Sequence, residues 1–228
     1  LIFACSEDKK QFEFAGGTFR MAIDSDVLST DPAFVADFYS ATVLNQVFEG
    51  LVTFDPQDLN LRPQLASSYK ISADGLTYEF SLRKKVLFHP HEVFTDDEDR
   101  LLTPADIVFS FELACTKNKA GLPSPAYTSI FQKSVAGASA FYEGKATSIS
   151  GIRVEKNKLI IQLLEQDENF LNKLAHIHAA IVSKKVVKST GKVNWIGTGP
   201  FLFSEVSNED LKTWKFSKND SYYLKDAK

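Results

Sequence analysis

Apolar and polar positions follow two different periods along this chain, and the switches between them outline its elements. From Gly17 to Ser25, Phe19, Met21 and Ile23 alternate with Arg20 and Ala22, which is the period of a strand. Ser29-Thr30-Asp31-Pro32 then predicts a turn into a helix. Phe34, Phe38, Ala41, Leu44, Phe48 and Leu51 recur every three or four residues, on one helical face. Gly50 ends that helix, and Val52-Thr53-Phe54 opens an extended piece. Tyr69-Lys70-Ile71 and residues 76–82 flank Asp74-Gly75, a hairpin signal, and Val86 and Phe88 continue the extended pattern. Thr103-Pro104-Ala105-Asp106 reads as a helix start: Thr at the N-cap, Pro at the first helical position, and an acid near the positive end of the helix. Ile107, Val108, Phe111, Ala114 and Cys115 supply its buried face. Residues 151–164 predict a second hairpin around Lys156-Asn157-Lys158. Phe170, Leu171, Leu174 and Ile177 suggest a short helix, and Ala179–Val182 a strand. Residues 201–206 and 211–216 predict a third hairpin across Ser207-Asn208-Glu209-Asp210. Helices mix with hairpins, so the expected class is α/β (mixed α+β) with partly antiparallel sheets.

The chain has 228 residues, which is one large domain or one and a half ordinary ones. Lys and Arg number 26 against 29 Asp and Glu, a net charge of −3, so no basic field exists to hold nucleic acid. Apolar residues are 44% and charged residues 24%, which excludes a disordered, collagen-like or coiled-coil chain. The aromatics include 19 Phe, so Phe is expected to fill much of the core. Two cysteines make no disulfide framework. Leu1-Ile2-Phe3-Ala4-Cys5-Ser6 is similar to the tail of a bacterial lipoprotein signal, with Cys5 as lipid acceptor and a polar leash after it; an incidental cysteine at a clipped end is the other reading. Cys115, late in its helix, reads as a small buried thiol.

Catalytic patterns are missing. There is no Gly-x-Ser-x-Gly elbow, and Gly197-Thr198-Gly199-Pro200 lacks the Gly-Lys-Ser/Thr ending of a phosphate loop. The histidines fall in two pairs, His89-Pro90-His91 and His176-Ile177-His178. In a strand that spacing puts both rings on one face, as metals use; surface or half-buried histidines are the alternative. The acids at 96–99 do not match a calcium loop and read as a solvated loop.

Six stretches together resemble one family. They are Thr30-Asp31-Pro32-Ala33, Val47-Phe48-Glu49-Gly50-Leu51-Val52, Leu61-Arg62-Pro63-Gln64-Leu65-Ala66, residues 74–89, residues 103–111, and Gly197-Thr198-Gly199-Pro200-Phe201. In this order they resemble the extracytoplasmic solute-binding proteins of oligopeptide, dipeptide and nickel ABC transporters, the family-5 type. Residues 90–102 depart from the family as a longer, acidic insertion. The resemblance implies a periplasmic-binding-protein-like type II lobe in residues 16–228, incomplete relative to a two-lobed fold, after a signal remnant and tether in residues 1–15. It implies roughly the N-terminal half of such a protein, with an exposed apolar face where a return segment would pack. It implies a binding protein and no enzyme, held outside the cytoplasmic membrane by a lipid on Cys5; a surface-tethered interaction module built on the same lobe, or a relative that binds nickel or a metal complex, is the alternative. Its partners would be a peptide ligand and ABC permease subunits, with no nucleic acid, cofactor or metal, and His89 would belong to the fold signature. The candidate ligand residues are Ser25, Asp26 and Val27 after the first strand, Tyr39 and Phe48 as cleft wall, and His178. Asp26 would take a cationic group such as a peptide amino terminus; a solvated turn acid is the alternative. For Phe48 a core position is the alternative.

Overall fold

The computed structural model describes residues 17–156, 158–207 and 212–224. Its centre is a four-stranded sheet built from two hairpins. β3 (Ala66–Ile71) and β4 (Thr77–Leu82) form the first, and β5 (Ile152–Glu155) and β6 (Lys158–Gln162) the second. They join in the order β3-β4-β6-β5, antiparallel throughout. The central seam sets Tyr78 opposite Ile161 and Phe80 opposite Leu159. Along β4 the inward positions Tyr78, Phe80 and Leu82 are buried, and the alternation predicted for this stretch is the pleat itself. The outer strands carry Ser67, Ser68 and Lys70 on β3 and Arg153 and Glu155 on β5, polar edges that resist pairing with another chain. Gly75 takes φ 67 in the first turn, where Asp74 and Ser72 bond to the loop amides of Leu76 and Thr77.

Two smaller two-stranded ladders are separate from this sheet: β1 (Val52–Phe54) with β2 (Leu61–Pro63), and β7 (Phe201–Ser207) with β8 (Thr213–Lys218). The longer helix α2 (Pro104–Ala114) starts as its sequence predicts, with Thr103 at the N-cap. Asp106 reaches back to accept from the Thr103 amide at 2.9 Å and the Thr103 hydroxyl at 2.6 Å. A π-helical turn follows at Tyr127–Phe131, closed by the Gln132 amide on the Tyr127 carbonyl, and then α3 (Ala138–Tyr142). The Tyr127 and Tyr142 rings stack at 4.1 Å. α4 (Phe170–Leu174) and α5 (Lys184–Thr190) complete the helices described below β6.

Buried apolar residues fall into two clusters. The larger holds the four-stranded sheet, α2 and the 127–138 segment, with Phe80, Phe88, Phe111, Phe131 and Phe170 inside, as the abundance of Phe predicts. The smaller gathers Val35, Leu44, Val47, Phe48, Ile177, Ala180, Val182 and Val193.

Three expectations about local structure are corrected. Residues 17–25 are no strand: no described segment pairs with them, and Phe19 is 88% exposed. The single helix expected through residues 34–51 is two pieces. Asp31 caps a 3-10 turn at Pro32–Phe34, Val35 is buried in extended conformation, and Asp37 then caps α1 (Phe38–Leu44) by accepting from the Ser40 amide. Burying Val35 outweighs continuing the helix, so the periodic Phe38 ends 77% exposed and Phe48 lies beyond the helix. Residues 179–182 form no ladder either. A 3-10 turn spans Ile177–Ala179, and the Ile181 and Val182 amides go to the Glu49 carbonyl and the Ser110 hydroxyl. Met21, Leu28 and Phe38 are exposed near Phe19 in the sequence.

Candidate functional site

The segment Val47-Phe48-Glu49-Gly50, with Val47, Phe48 and Glu49 buried, lies where the two clusters meet. The Gly-Thr-Gly-Pro stretch is laid directly against it. The Gly199 amide donates to the Val47 carbonyl at 2.9 Å, and the Phe201 amide to the Gln46 carbonyl at 3.1 Å. A Cβ on Gly197 would stand 2.0 Å from the Val47 carbonyl oxygen, so only glycine permits this approach. His89 clamps the other side of the same turn. Its amide donates to the Gly197 carbonyl, and its Nε2 lies 2.9 Å from the Gly199 carbonyl. Burial pushes the imidazole pKa down and the Gly199 and Trp195 carbonyls oppose this, so a neutral ring donating from Nε2 fits the site. Asn219, after β8, donates to the same Gly199 carbonyl at 3.0 Å.

Inside this junction Glu49 is 2% exposed. Its carboxylate accepts from Thr198 Oγ1 at 2.7 Å, Tyr222 OH at 2.7 Å, Gln64 Nε2 at 3.0 Å and Tyr223 OH at 3.1 Å. Removal from water raises its pKa, and the four donors pull the other way. Burial likewise raises both tyrosine pKa values, with the Glu49 charge adding to the effect. Gln64 is shared: its Oε1 accepts from the Gly50 amide at 3.2 Å. A second junction ties α2 to α5. Asp106 Oδ1 accepts from the Lys184 amide at 3.0 Å, while Ser110 donates to the Asp106 carbonyl and accepts from the Val182 amide. Glu49 and Asp106 are each held by several partners, which suits a rigid joint. Cys115 is buried and its thiol pKa is pushed up by burial, which makes it a poor nucleophile.

Of the ligand candidates, Phe48 lies in this junction, while Ser25, Asp26, Val27 and Tyr39 make their contacts elsewhere. Ser25 and Asp26 are exposed, and Val27 is buried with its amide on Asp26 Oδ1 at 2.8 Å. Asp26 pairs with Lys212 at the start of β8, and that bond lowers its pKa. Tyr39 is half-buried and donates to Asp24 at 3.4 Å, and Ser40 accepts from the Leu28 amide at 2.8 Å. Residues 24–28, the first turn of α1 and the start of β8 are therefore brought together. Lys212 also lies 5.1 Å from the Trp214 ring, within a cluster of Trp195, Phe203, Trp214 and Phe216. Phe48 takes the core one of its two placements, at 2% exposure in the smaller cluster. His178 stands in the 3-10 turn, with Nε2 2.7 Å from the Val35 carbonyl. Cys5 lies outside the described residues. Among the described residues no group of three or more His, Cys, Asp or Glu could hold a metal ion. No helix among them is long and apolar enough to cross a membrane.

Sequence reading missed the Glu49 site, although Glu49, Gln64 and Thr198 all lie in stretches that carry the resemblance. A lone acid inside the apolar run Val47-Phe48-Glu49-Gly50-Leu51-Val52 was the available signal, since a buried carboxylate needs donors.

The chain is similar to known proteins. The chain is 28% identical over 205 residues to heme-binding protein A of Haemophilus influenzae, covering 86% of this chain and 36% of that protein. It is 28% identical over 180 residues to the dipeptide-binding protein of Escherichia coli, covering 74% and 31%. The fold superposes on a periplasmic oligopeptide-binding protein of Borrelia burgdorferi with TM-score 0.72 and 26% identity, covering 86% of this chain and 38% of that one. It also superposes on DppA of Helicobacter pylori in complex with the peptide STSA, with TM-score 0.66 and 26% identity over 85% and 37% of the two chains. This chain spans about a third of the length of the curated relatives it matches, less than the half its sequence suggests. The family model for bacterial extracellular solute-binding proteins, family 5, matches residues 60–228. The chain belongs to that family.

Proposed function

We propose that this chain is part of the substrate-binding component of an ABC importer, which captures oligopeptides or dipeptides outside the cytoplasmic membrane and delivers them to permease subunits. The supporting observation is the likeness over 86% of the chain to a periplasmic oligopeptide-binding protein. Residues 16–228 would supply one lobe, and the exposed Phe19, Met21, Leu28 and Phe38 suit a surface that further protein covers. Asp26 would exchange its Lys212 partner for the amino terminus of a peptide, with Ser25, Val27 and Tyr39 beside it. The reading assigns binding and no catalysis. Cys5 would carry the lipid that holds the protein at the outer face of the membrane or in the periplasm.

The test is calorimetric titration of the whole gene product with a library of peptides. A bound peptide at 100 times its Kd stabilises by about 2.7 kcal/mol, so melting shifts report the same event. Saturable binding of any peptide class, weakened by Asp26→Asn, supports the reading. No response to any peptide sinks it. Mass spectrometry of membrane-extracted protein tests the anchor: an unmodified Cys5 in the mature protein rejects it.

A further inference from the structure

Past Leu82, the last residue of β4, the chain runs Arg83-Lys84-Lys85, three cations in a row. Lys85 takes φ 61, which turns the chain sharply. Arg83 is held on two sides. Its Nε donates to the Gln64 carbonyl at 2.5 Å, and its guanidinium carbon lies 5.7 Å from the centroid of the Tyr223 ring. Tyr223 is itself anchored through its hydroxyl to Glu49. An open surface cleft of about 390 Å³ lies between these groups, lined by Ser67, Leu82, Arg83, Lys84 and Tyr223. Among the described residues its wall contains two cations and no acid. Among the described residues no carboxylate lies within ion-pair distance of Arg83 or Lys84, in a chain whose acids outnumber its bases and whose Arg62, Arg100 and Lys173 all find one.

A guanidinium fixed through Nε and one ring face presents its remaining N–H groups as a preorganised fork, the geometry that binds a planar anion at two points. Lys84 adds a mobile point charge beside it. The Tyr223 ring supplies an apolar wall, which suits an organic body more than inorganic phosphate. The volume is within the range of small-molecule sites. We infer that this corner is a binding site for a small organic carboxylate, gripped by Arg83 and Lys84 and seated against Tyr223. An occupant there rests on Tyr223 and so stiffens the Glu49 junction.

Calorimetric titration of the full chain with succinate, dimethyl succinate and inorganic phosphate tests this directly. Saturable succinate binding is expected, with none for the diester and at least about tenfold weaker binding of phosphate. Lys84 is exposed, so Lys84→Met removes one charge without touching the fold and lowers succinate affinity by about tenfold. Arg83→Lys keeps the charge, loses the fork and lowers it by at least as much. Absence of saturation, equal binding of the diester, or unchanged affinity in both variants overturns the inference; phosphate binding as tightly as succinate overturns the ligand class. The titration uses no peptide, so its outcome is independent of the transport reading.

Discussion

Glu49 and Tyr223, 174 positions apart in the chain, meet through a 3.1 Å hydrogen bond between a buried carboxylate and a phenol. Burial is the larger influence on that carboxylate, and it raises the pKa above that of the unfolded chain. The folded state therefore favours the protonated acid. The associated stability is fully present below the unfolded pKa and is lost as pH rises through the folded pKa. Glu49→Gln cannot ionise and escapes that loss. Urea unfolding from about pH 4 to about pH 8 should move the difference between the two proteins steadily in favour of Glu49→Gln. A difference that is flat or moves the opposite way contradicts the assignment. Glu49→Ala leaves four donors facing a cavity and should cost about 3 kcal/mol.

Phe48 and Phe38 stand on the same periodic stripe of sequence yet have opposite surroundings, at 2% and 77% exposure. Phe48→Ala should cost about 3–5 kcal/mol by denaturant unfolding. Phe38→Ala should change stability by less than about 0.5 kcal/mol. Similar losses at both positions would mean that the helix runs through residue 48 after all.

Gly197→Ala tests the close approach of the Gly-Thr-Gly-Pro turn to the Val47 carbonyl. The opposing atom is backbone, so no side chain can swing aside. A loss of at least about 2 kcal/mol is expected, read as a lower urea midpoint with an unchanged slope. A variant as stable as the parent would show that the contact is looser than described.

Asp106 serves two helix starts at once, through Thr103 and through the Lys184 amide. Asp106→Ala should cost about 2 kcal/mol. Asp106→Asn keeps one acceptor oxygen and should cost about half as much. Hydrogen exchange should quicken at both Lys184 and the first turn of α2; acceleration confined to α2 would separate the two roles.

Local chemistry was readable where one stretch of chain decides its own shape. Thr103-Pro104-Ala105-Asp106 starts a helix, Asp74-Gly75 turns a hairpin, and β5–β6 pairs around Lys156, because caps and turns depend on near neighbours. The 34–51 stripe misled for a nonlocal reason: Val35 leaves the helix to reach Ile177 and Ala180, and no period in residues 34–51 encodes that partner. Residues 17–25 alternate like a strand, but a ladder needs a second strand, and no described segment supplies one. Of the candidate site, Asp26 pairs with Lys212 and Tyr39 reaches Asp24, contacts that no local pattern encodes. Glu49 stayed hidden because its donors at 64, 198, 222 and 223 are neighbours only in three dimensions.

The β4–β6 seam bears on how this chain acquires its structure. Each hairpin can zip from its own turn, but Glu79 and Lys158 meet across 79 positions. The ordering entropy of that long excursion must be met before the seam returns any contact energy. Folding is therefore expected to proceed from two early local hairpins to a late, rate-limiting closure. During a stalled closure, the apolar faces of both hairpins, Tyr78 and Phe80 on one and Leu159 and Ile161 on the other, would stand open to aggregation.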